Sequence, residues 1–220
     1  MPTVLVTGAN RGLGLEFARQ YATEGWRVLA TCRAPDHATE LNALDGDVEV
    51  IALDVCAFDA VAKLAGELSG TAIDVLINNA GIYGPKGASL DAMDASAAQV
   101  WEQVMRTNVM APLFVTRSFA PHVAASELKR VAVLSSKMGS MADNTSGGSY
   151  IYRSSKAAVN ALVKSLSHDL SADGILVAAL HPGWVLTDMG GPSALIDAQQ
   201  SVSGMRRVIQ GLDVTSSGGF

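Results

Sequence analysis

The sequence predicts an α/β fold, with a single doubly wound parallel sheet and helices on both faces. Six short runs rich in Val, Ile and Leu alternate with segments whose apolar residues recur three and four positions apart. Hydrophobic residues make up 49% of the chain and charged residues only 17%, which suits a sheet covered on both faces. Because strand alternates with helix, the connections are expected to be right-handed crossovers between parallel strands.

The apolar runs predict strands at residues 3–7, 27–31, 48–55, 74–81, 130–136 and 175–183. Helical spacing predicts helices at about 13–24, 57–69, 96–124 and 149–171, and a further one near residue 200. No internal repeat or low-complexity linker interrupts this order, so residues 1–220 are predicted to form one domain. The final "SSGGF" is predicted to fray.

Composition argues against several classes of partner. The formal net charge of -5 includes no basic stripe or polybasic tail, so neither nucleic acid nor a membrane surface is expected to bind. No apolar run reaches membrane-spanning length and no secretory leader precedes the first strand, which predicts a cytoplasmic protein. Two cysteines and four histidines without metal spacing predict neither a disulfide framework nor a metal site.

The stretch "TGANRGLG" (7–14) follows the first strand and opens the first helix. Gly8, Gly12 and Gly14 permit a tight turn and the close approach of a pyrophosphate, which would face the free N–H groups at the positive end of the helix. Ordinary strand-to-helix turns also use glycine. The position directly after a buried strand favours dinucleotide binding.

The spacing T-G-x-x-x-G-x-G resembles the glycine loop of the short-chain dehydrogenase/reductase family. Three further family motifs follow in the family's order: "NNAG" (78–81), "YRSSK" (152–156) and "PGWVLT" (182–187). The segments at 135–160 and 181–191 are similar to the C-factor and sniffer-like carbonyl reductase branch. The resemblance implies a Rossmann sheet that forms a dinucleotide-binding catalytic domain. Family members usually add a strand after the segment matching "GLDVTSSGGF", so the last strand is expected to be missing here.

A tyrosine and a lysine are the central catalytic candidates. On a helix Tyr152 and Lys156 lie one turn apart on the same face. The resemblance implies that Tyr152 is the general acid in carbonyl reduction, that Ser136 donates a hydrogen bond to the substrate oxygen, and that Asn108 holds a water reaching Lys156. Lys156 is expected to lower the pKa of Tyr152 and to hold the nicotinamide ribose. The alternative is a buried tyrosine with a satisfied hydroxyl beside a surface lysine.

The choice of serine depends on position. Ser136 ends the fifth apolar run, where ligands bind in open α/β sheets, but it lies 16 positions before Tyr152, whereas family members commonly show about 13. The Gly- and Ser-rich loop between them can absorb this length. Ser135 is the second candidate and Ser140 the third.

The tip of the second strand bears on the choice of cofactor. It carries Arg33 and no acid, and a guanidinium matches a 2′-phosphate that a carboxylate would repel. Arg11 in the glycine loop is expected to be a second cation on the same side. NADP(H) is therefore predicted, with NAD(H) less favoured. The alternative pairs Arg33 with Asp36 on the surface.

The resemblance implies further cofactor contacts. Asp54 would face the adenine amino group, Asn79 would be either a cofactor neighbour or a tie between strands, and Thr187 would bind the nicotinamide carboxamide. The other implied contacts lie in the same motifs: Asn10, Leu13, Val55, Ala80, Gly81, Pro182, Gly183 and Val185.

The predicted function is NADPH-dependent reduction of a ketone, aldehyde or quinone carbonyl. The partner would be a small carbonyl or alcohol, and by resemblance a homo-oligomer could form through the helices at 96–124 and 149–171. Two alternatives remain: an NADP(H)-binding signalling or sensor protein of C-factor type, and an NAD-dependent alcohol dehydrogenase. A degenerate sensor would be expected to lose the tyrosine or the lysine, and both are present.

Overall fold

A computed structural model describes residues 1–85 and 89–220. Its centre is a six-stranded parallel sheet in the order β3-β2-β1-β4-β5-β6, which confirms the predicted α/β fold class. The strands, in chain order, are β1 (Thr3–Thr7), β2 (Arg27–Cys32), β3 (Val48–Ala52), β4 (Val75–Asn78), β5 (Arg130–Leu134) and β6 (Leu176–Leu180). The strand order reverses direction between β1 and β4, and open α/β sheets bind their ligands beside such a point.

Helices cover both faces of the sheet. They are α1 (Gly12–Thr23), α2 (Thr39–Asn42), α3 (Phe58–Glu67), α4 (Ala97–Met105), α5 (Ala111–Ala124), α6 (Tyr150–Asp169) and α7 (Ala198–Gln210). One apolar core lies under α1, α2 and α7, and a second lies under α3, α5 and α6. Because both faces are covered, β1 is buried along its whole length, as its "TVLVT" sequence predicts. None of the helices in the described ranges is long and apolar enough to cross a bilayer.

The strands end earlier than the apolar runs suggest. The four runs that contain site motifs were predicted to reach residues 55, 81, 136 and 183, whereas β3, β4, β5 and β6 end at Ala52, Asn78, Leu134 and Leu180. The polar residues beyond these ends leave the ladder and enter loops. The motif side chains therefore lie at the open carboxyl edge of the sheet.

The helix predicted at 96–124 is divided into three parts. A π-helical turn at Arg106–Met110 separates α4 from α5, and it contains Asn108. Such turns are rare and often occur at functional sites. Apolar periodicity continues through the turn, so no pattern in the sequence predicts it.

The prediction of a frayed chain end is wrong. The Gly218 amide donates to the Val177 carbonyl at 2.7 Å, and the Ala179 amide donates to the Gly219 carbonyl at 3.0 Å. The Val177 carbonyl and the Ala179 amide lie on the edge of β6 that pairs with no other strand of the described residues. Gly218, which pairs with this edge, has a φ of +80°. No seventh strand is among the elements of the described residues, as the sequence predicted.

Candidate active site

The glycine loop joins β1 to α1. Gly8 and Gly12 have φ values of +66° and +56°, which favour glycine. A Cβ atom at Gly14 would lie 2.2 Å from the Gly8 carbonyl oxygen, so no larger residue fits there without moving the backbone. No side chain caps the first turn of α1, and its amide N–H groups are therefore open to an anion. This arrangement fits a pyrophosphate.

Asn79 ties β4 to this loop. Its side-chain amide donates to the Thr7 carbonyl at 2.9 Å and to the Gly8 carbonyl at 3.1 Å, and its own backbone N–H donates to the Thr7 hydroxyl at 3.0 Å. Ala80 donates to the same hydroxyl at 3.1 Å. Of the two predicted roles, these bonds support the tie between strands. Sequence reasoning missed Thr7, which no motif singled out as an acceptor.

The predicted catalytic side chains come together at the carboxyl ends of β4 and β5. Tyr152 and Lys156 lie on the buried face of α6, and the Lys156 ammonium is 5.6 Å from the centre of the Tyr152 ring. Ser136 follows β5, is buried, and interacts with the Tyr152 phenol. Asn108 approaches from the π-helical turn and is almost fully buried.

Burial changes the acidity of both titratable groups. Burial raises the pKa of Tyr152 to about 12, although the interaction with Ser136 acts in the opposite direction. Burial lowers the pKa of Lys156 to about 8, and its ammonium donates at 2.8 Å to the Leu134 carbonyl. Desolvation dominates the pKa of Tyr152 in this structure, and the lowering of that pKa by Lys156 stays a prediction. The phenol is held in its neutral form.

Protein partners use three of the four hydrogen-bonding positions of the Asn108 side chain. Its side-chain oxygen accepts from the Ile82 amide at 2.9 Å, and its nitrogen donates to the Ile82 carbonyl at 2.8 Å and to the Ser155 hydroxyl at 3.0 Å. A Cβ atom at Gly81 would lie 3.3 Å from the Asn108 oxygen and 3.8 Å from the Lys156 nitrogen, which places both polar groups beside this glycine. The predicted water bridge would need the second lone pair of the Asn108 oxygen.

The geometry favours Ser136 over the other serines. The Ser135 hydroxyl donates to the Asn160 side chain on α6 at 2.5 Å. The Ser140 hydroxyl accepts from the Asp143 amide within the following loop at 3.2 Å. Ser136 accepts from the Met138 amide at 3.2 Å, which leaves its own proton for another acceptor.

An unpredicted aromatic residue completes this end of the site. The Tyr83 ring stacks on the Tyr152 ring, with 4.2 Å between the centroids and 20° between the planes. Its hydroxyl lies 3.3 Å from the Ser149 hydroxyl and 3.6 Å from the Met138 sulfur. No spacing in the sequence relates position 83 to position 152, so no sequence signal could have found this contact.

The other end of the cleft is exposed. Arg33 follows β2 directly, and within residues 1–85 and 89–220 its guanidinium has no ion pair or hydrogen bond, so the alternative pairing with Asp36 is not observed. Asp54 is also exposed, and one of its carboxylate oxygens accepts from the Cys56 amide at 2.9 Å. Arg11 instead forms a 2.7 Å ion pair with Asp188, in the loop after β6. Its predicted role as a second cation on the same side as Arg33 stays a prediction.

The loop after β6 folds back toward the glycine loop. Gly183 has a φ of +85°, and a Cβ atom there would lie 2.7 Å from the Ile196 side chain. The Thr187 hydroxyl donates to the Val185 carbonyl at 3.3 Å and accepts from the Gly190 amide at 3.2 Å. The other predicted cofactor residues also lie at this sheet edge, either in loops or at the start of α1: Asn10, Leu13, Val55, Ala80, Gly81 and Pro182.

In the described part of the chain, no group of three or more His, Cys, Asp or Glu side chains is arranged to hold a metal ion. Cys32 and Cys56 are both free thiols.

A doubly wound parallel sheet with a glycine loop after its first strand defines the class of dinucleotide-binding α/β proteins. A family model described as short chain dehydrogenase matches residues 2–195. The protein therefore belongs to the short-chain dehydrogenase family, which confirms the family predicted from the motifs.

Individual relatives point to the same branch. The C-signal protein of Myxococcus xanthus is 49% identical over 148 residues, covering 67% of this chain and 87% of that protein. The carbonyl reductase Sniffer of D. melanogaster is 35% identical, with a TM-score of 0.91 over 100% of this chain and 96% of its own. The NADPH-bound carbonyl reductase from chicken fatty liver is 33% identical, with a TM-score of 0.88 over 99% of this chain and 94% of its own.

Proposed function

We propose that the protein is an NADPH-dependent reductase of ketone, aldehyde or quinone carbonyls. The observation that carries this proposal is the joint burial of Ser136, Tyr152 and Lys156 at the carboxyl edge of the sheet, next to the glycine loop. Similarity to Sniffer and to the carbonyl reductase from chicken fatty liver, which was solved with NADPH bound, supports both the reaction and the cofactor.

Residues along the cleft would hold the dinucleotide. The glycine loop and the open amides of α1 would bind the pyrophosphate, and Arg33 would bind the 2′-phosphate. Lys156 would hold the nicotinamide ribose, and Thr187 would bind the carboxamide. Bound NADPH supplies a hydride for the carbonyl carbon.

Tyr152 would supply the proton. Because its pKa is raised to about 12, the phenol stays protonated at neutral pH and is ready to donate to an oxygen that becomes negative. Ser136 would donate a hydrogen bond to the same oxygen. The cost of this arrangement is that ionising the phenol is about 3 kcal/mol harder than in water. The nearby Lys156 ammonium would stabilise the phenolate once it forms.

A steady-state assay tests this function. Purified protein is mixed with NADPH or NADH and a panel containing a quinone, an aromatic ketone and an aldehyde, and nicotinamide absorbance is followed. We expect carbonyl-dependent oxidation of NADPH, with kcat/KM at least about tenfold above that for NADH, the size of one charge-assisted contact. Equal use of NADH would favour the NAD-dependent alcohol dehydrogenase.

The similarity to C-signal favours a signalling protein as the second candidate. Such a protein would bind NADPH with high affinity but would not oxidise it with any carbonyl of the panel, so the same assay, combined with a binding titration, separates the two. Action as one catalytic domain over residues 1–220, a cytoplasmic location and assembly into a homo-oligomer stay predictions.

A further inference from the structure

Tyr83 lies in the segment after β4, and hydrogen bonds hold the residue that precedes it. The preceding residue, Ile82, is held through its backbone N–H and C=O by the side chain of Asn108. The following residue, Gly84, has a φ of +78°, and a Cβ atom there would lie 3.2 Å from the Val104 side chain. The backbone immediately before Tyr83 is therefore tethered to the π-helical turn, and this tether helps to set the position of the Tyr83 ring.

The Tyr83 hydroxyl reaches both ends of the loop that separates the two proton-bearing groups of the site. Met138 stands two positions after Ser136, and Ser149 stands three positions before Tyr152. The hydroxyl lies 3.6 Å from the Met138 sulfur and 3.3 Å from the Ser149 hydroxyl. Ser149 adopts the unusual φ of +49°, which a non-glycine residue keeps only when its surroundings hold it there.

The length of this loop gives the contact a physical purpose. Ser136 and Tyr152 are separated by a Gly-, Ser- and Asn-rich stretch, most of which is exposed. Such a flexible stretch does not by itself fix the distance between its two ends. A hydroxyl that contacts both ends, on a residue with a tethered backbone, limits how far Ser136 and Tyr152 can separate.

Whereas the Tyr83 hydroxyl limits the distance between Ser136 and Tyr152, the Tyr83 ring affects the orientation and hydration of the Tyr152 phenol. Its stacked position covers a face of the Tyr152 ring and keeps water from it. Burial is the main cause of the raised pKa of Tyr152, and the electrostatic effect of the neighbouring Tyr83 phenol raises this pKa further. No other aromatic ring in the described residues stacks on Tyr152.

We propose that Tyr83 is a positioning residue for proton transfer, whose ring orients the Tyr152 phenol and whose hydroxyl holds the Ser136 and Tyr152 ends of the intervening loop together. This inference rests on the proposed function, because it assigns Tyr83 a part in the proton transfer from Tyr152. It does not give Tyr83 a contact with the cofactor or with the reacting atoms.

The test compares Tyr83→Phe, which keeps the stacking but removes the hydroxyl, with Tyr83→Leu, which removes both. Tyr150→Phe is the matched control, because Tyr150 lies on the same helical turn as Tyr152 and is exposed. Three quantities are measured: kcat and KM over pH, the NADPH dissociation constant, and the titration of Tyr152 by tyrosinate absorbance. The tyrosinate absorbance of each variant is measured over pH, and the absorbance of the same variant carrying Tyr152→Phe is subtracted. The difference reports the titration of Tyr152 alone.

We expect Tyr83→Phe to lower kcat about fivefold, with KM and NADPH affinity unchanged, as the loss of one neutral hydrogen-bonding group predicts. We expect Tyr83→Leu to lower kcat by at least about tenfold, because the stacking is lost as well. In Tyr83→Leu the titration of Tyr152 should move down toward its ordinary value of about 10, because water reaches the phenol. The pH at which the reduction rate begins to fall on the alkaline side should decrease with the pKa of Tyr152.

The proposal is overturned if both variants match Tyr150→Phe in kcat and in the Tyr152 titration, or if only KM for the carbonyl changes, which would make Tyr83 a substrate contact. If Tyr83→Leu does not fold, the kcat and titration of Tyr83→Phe decide the outcome. If wild-type protein oxidises no NADPH, the proposed function fails. The difference titration then still shows whether Tyr83 controls the phenol.

Discussion

The two ends of the candidate cofactor cleft are built in opposite ways. At the nicotinamide end, Ser136, Tyr152 and Lys156 are buried and contact other protein groups. At the adenosine end, Arg33 is exposed, and within the described ranges its guanidinium has no protein partner. Arg11 and Asp188, which pair across the cleft, are also largely exposed.

The proposed function accounts for this difference. Proton transfer needs groups held within hydrogen-bonding distance, in known protonation states and away from water, so these side chains are fixed in advance at the expense of desolvation. Recognition of a phosphate needs a cation that can reach the ligand, and an exposed guanidinium keeps its hydration until the ligand binds. Substitutions of Ser136 or Tyr152 should therefore alter rate, whereas those at the exposed end should alter affinity.

The largest effect on affinity should come from the glycine loop, which lies between the two ends. Gly14→Ala places a Cβ atom 2.2 Å from the Gly8 carbonyl oxygen, and the loop must shift out of register with the pyrophosphate. We expect NADPH affinity to fall on the order of 100-fold, measured by the quenching of protein fluorescence. Gly204→Ala is the matched control, because nothing lies within 4 Å of its added Cβ atom and its affinity should not change. Normal NADPH binding by Gly14→Ala would contradict the assignment of the loop.

The next largest effect tests the exposed end. Arg33→Ala should weaken NADPH binding by about 10- to 100-fold, the range expected for losing a hydrogen-bonded ion contact with a phosphate. NADH lacks the 2′-phosphate, and its dissociation constant should stay the same. Isothermal titration with both nucleotides makes the comparison. Equal losses for NADPH and NADH would show that Arg33 does not read the phosphate.

A pH titration examines the buried end. Burial lowers the pKa of Lys156 to about 8, so the ammonium is present below that pH and is lost as the pH rises through it. If the charged form holds the ribose hydroxyls, NADPH affinity should fall by about fivefold between about pH 7 and about pH 9.5, the size of one hydrogen bond. In Lys156→Met the affinity should be lower throughout and flat over the same range. A parallel decline in both proteins would place the titrating group elsewhere.

The smallest effect concerns the contact between the loops. Asp188→Asn removes the charge that holds Arg11 across the cleft, in a pair whose side chains are more than two-thirds exposed. Exposed pairs contribute little, so we expect NADPH affinity to rise only about two- to threefold as Arg11 becomes available to the phosphates. The dissociation constants come from the same titration as for Arg33. A loss of affinity would mean that the pair supports the bound state.

Much of the site could be predicted from sequence because its motifs are local. The glycine loop depends on glycines within eight residues, and the pairing of Tyr152 with Lys156 depends on one turn of a helix. Each motif also follows a strand, and parallel strands bring their carboxyl ends to one edge of the sheet. The placement of Ser136 beside Tyr152 follows from the same rule.

The remaining features depend on contacts between distant parts of the chain. Tyr83 meets Tyr152 across 69 positions, and Arg11 meets Asp188 across 177, and no periodicity or spacing encodes such pairs. The raised pKa of Tyr152 could not be read from an adjacent lysine either, because it is decided by burial, which only the packed structure shows. The π-helical turn around Asn108 could not be predicted either, because apolar periodicity continues through it.

The most direct measurement of the central claim is the rate of a single turnover, with NADPH already bound, for wild-type protein and Tyr152→Phe. We expect the variant to bind NADPH as wild type does but to reduce the carbonyl about 10²- to 10⁴-fold more slowly, the usual loss on removing a general acid. If Tyr152→Phe reduces the carbonyl at a rate within about threefold of wild type, well short of that loss, the proton comes from another group and the account of this site is wrong.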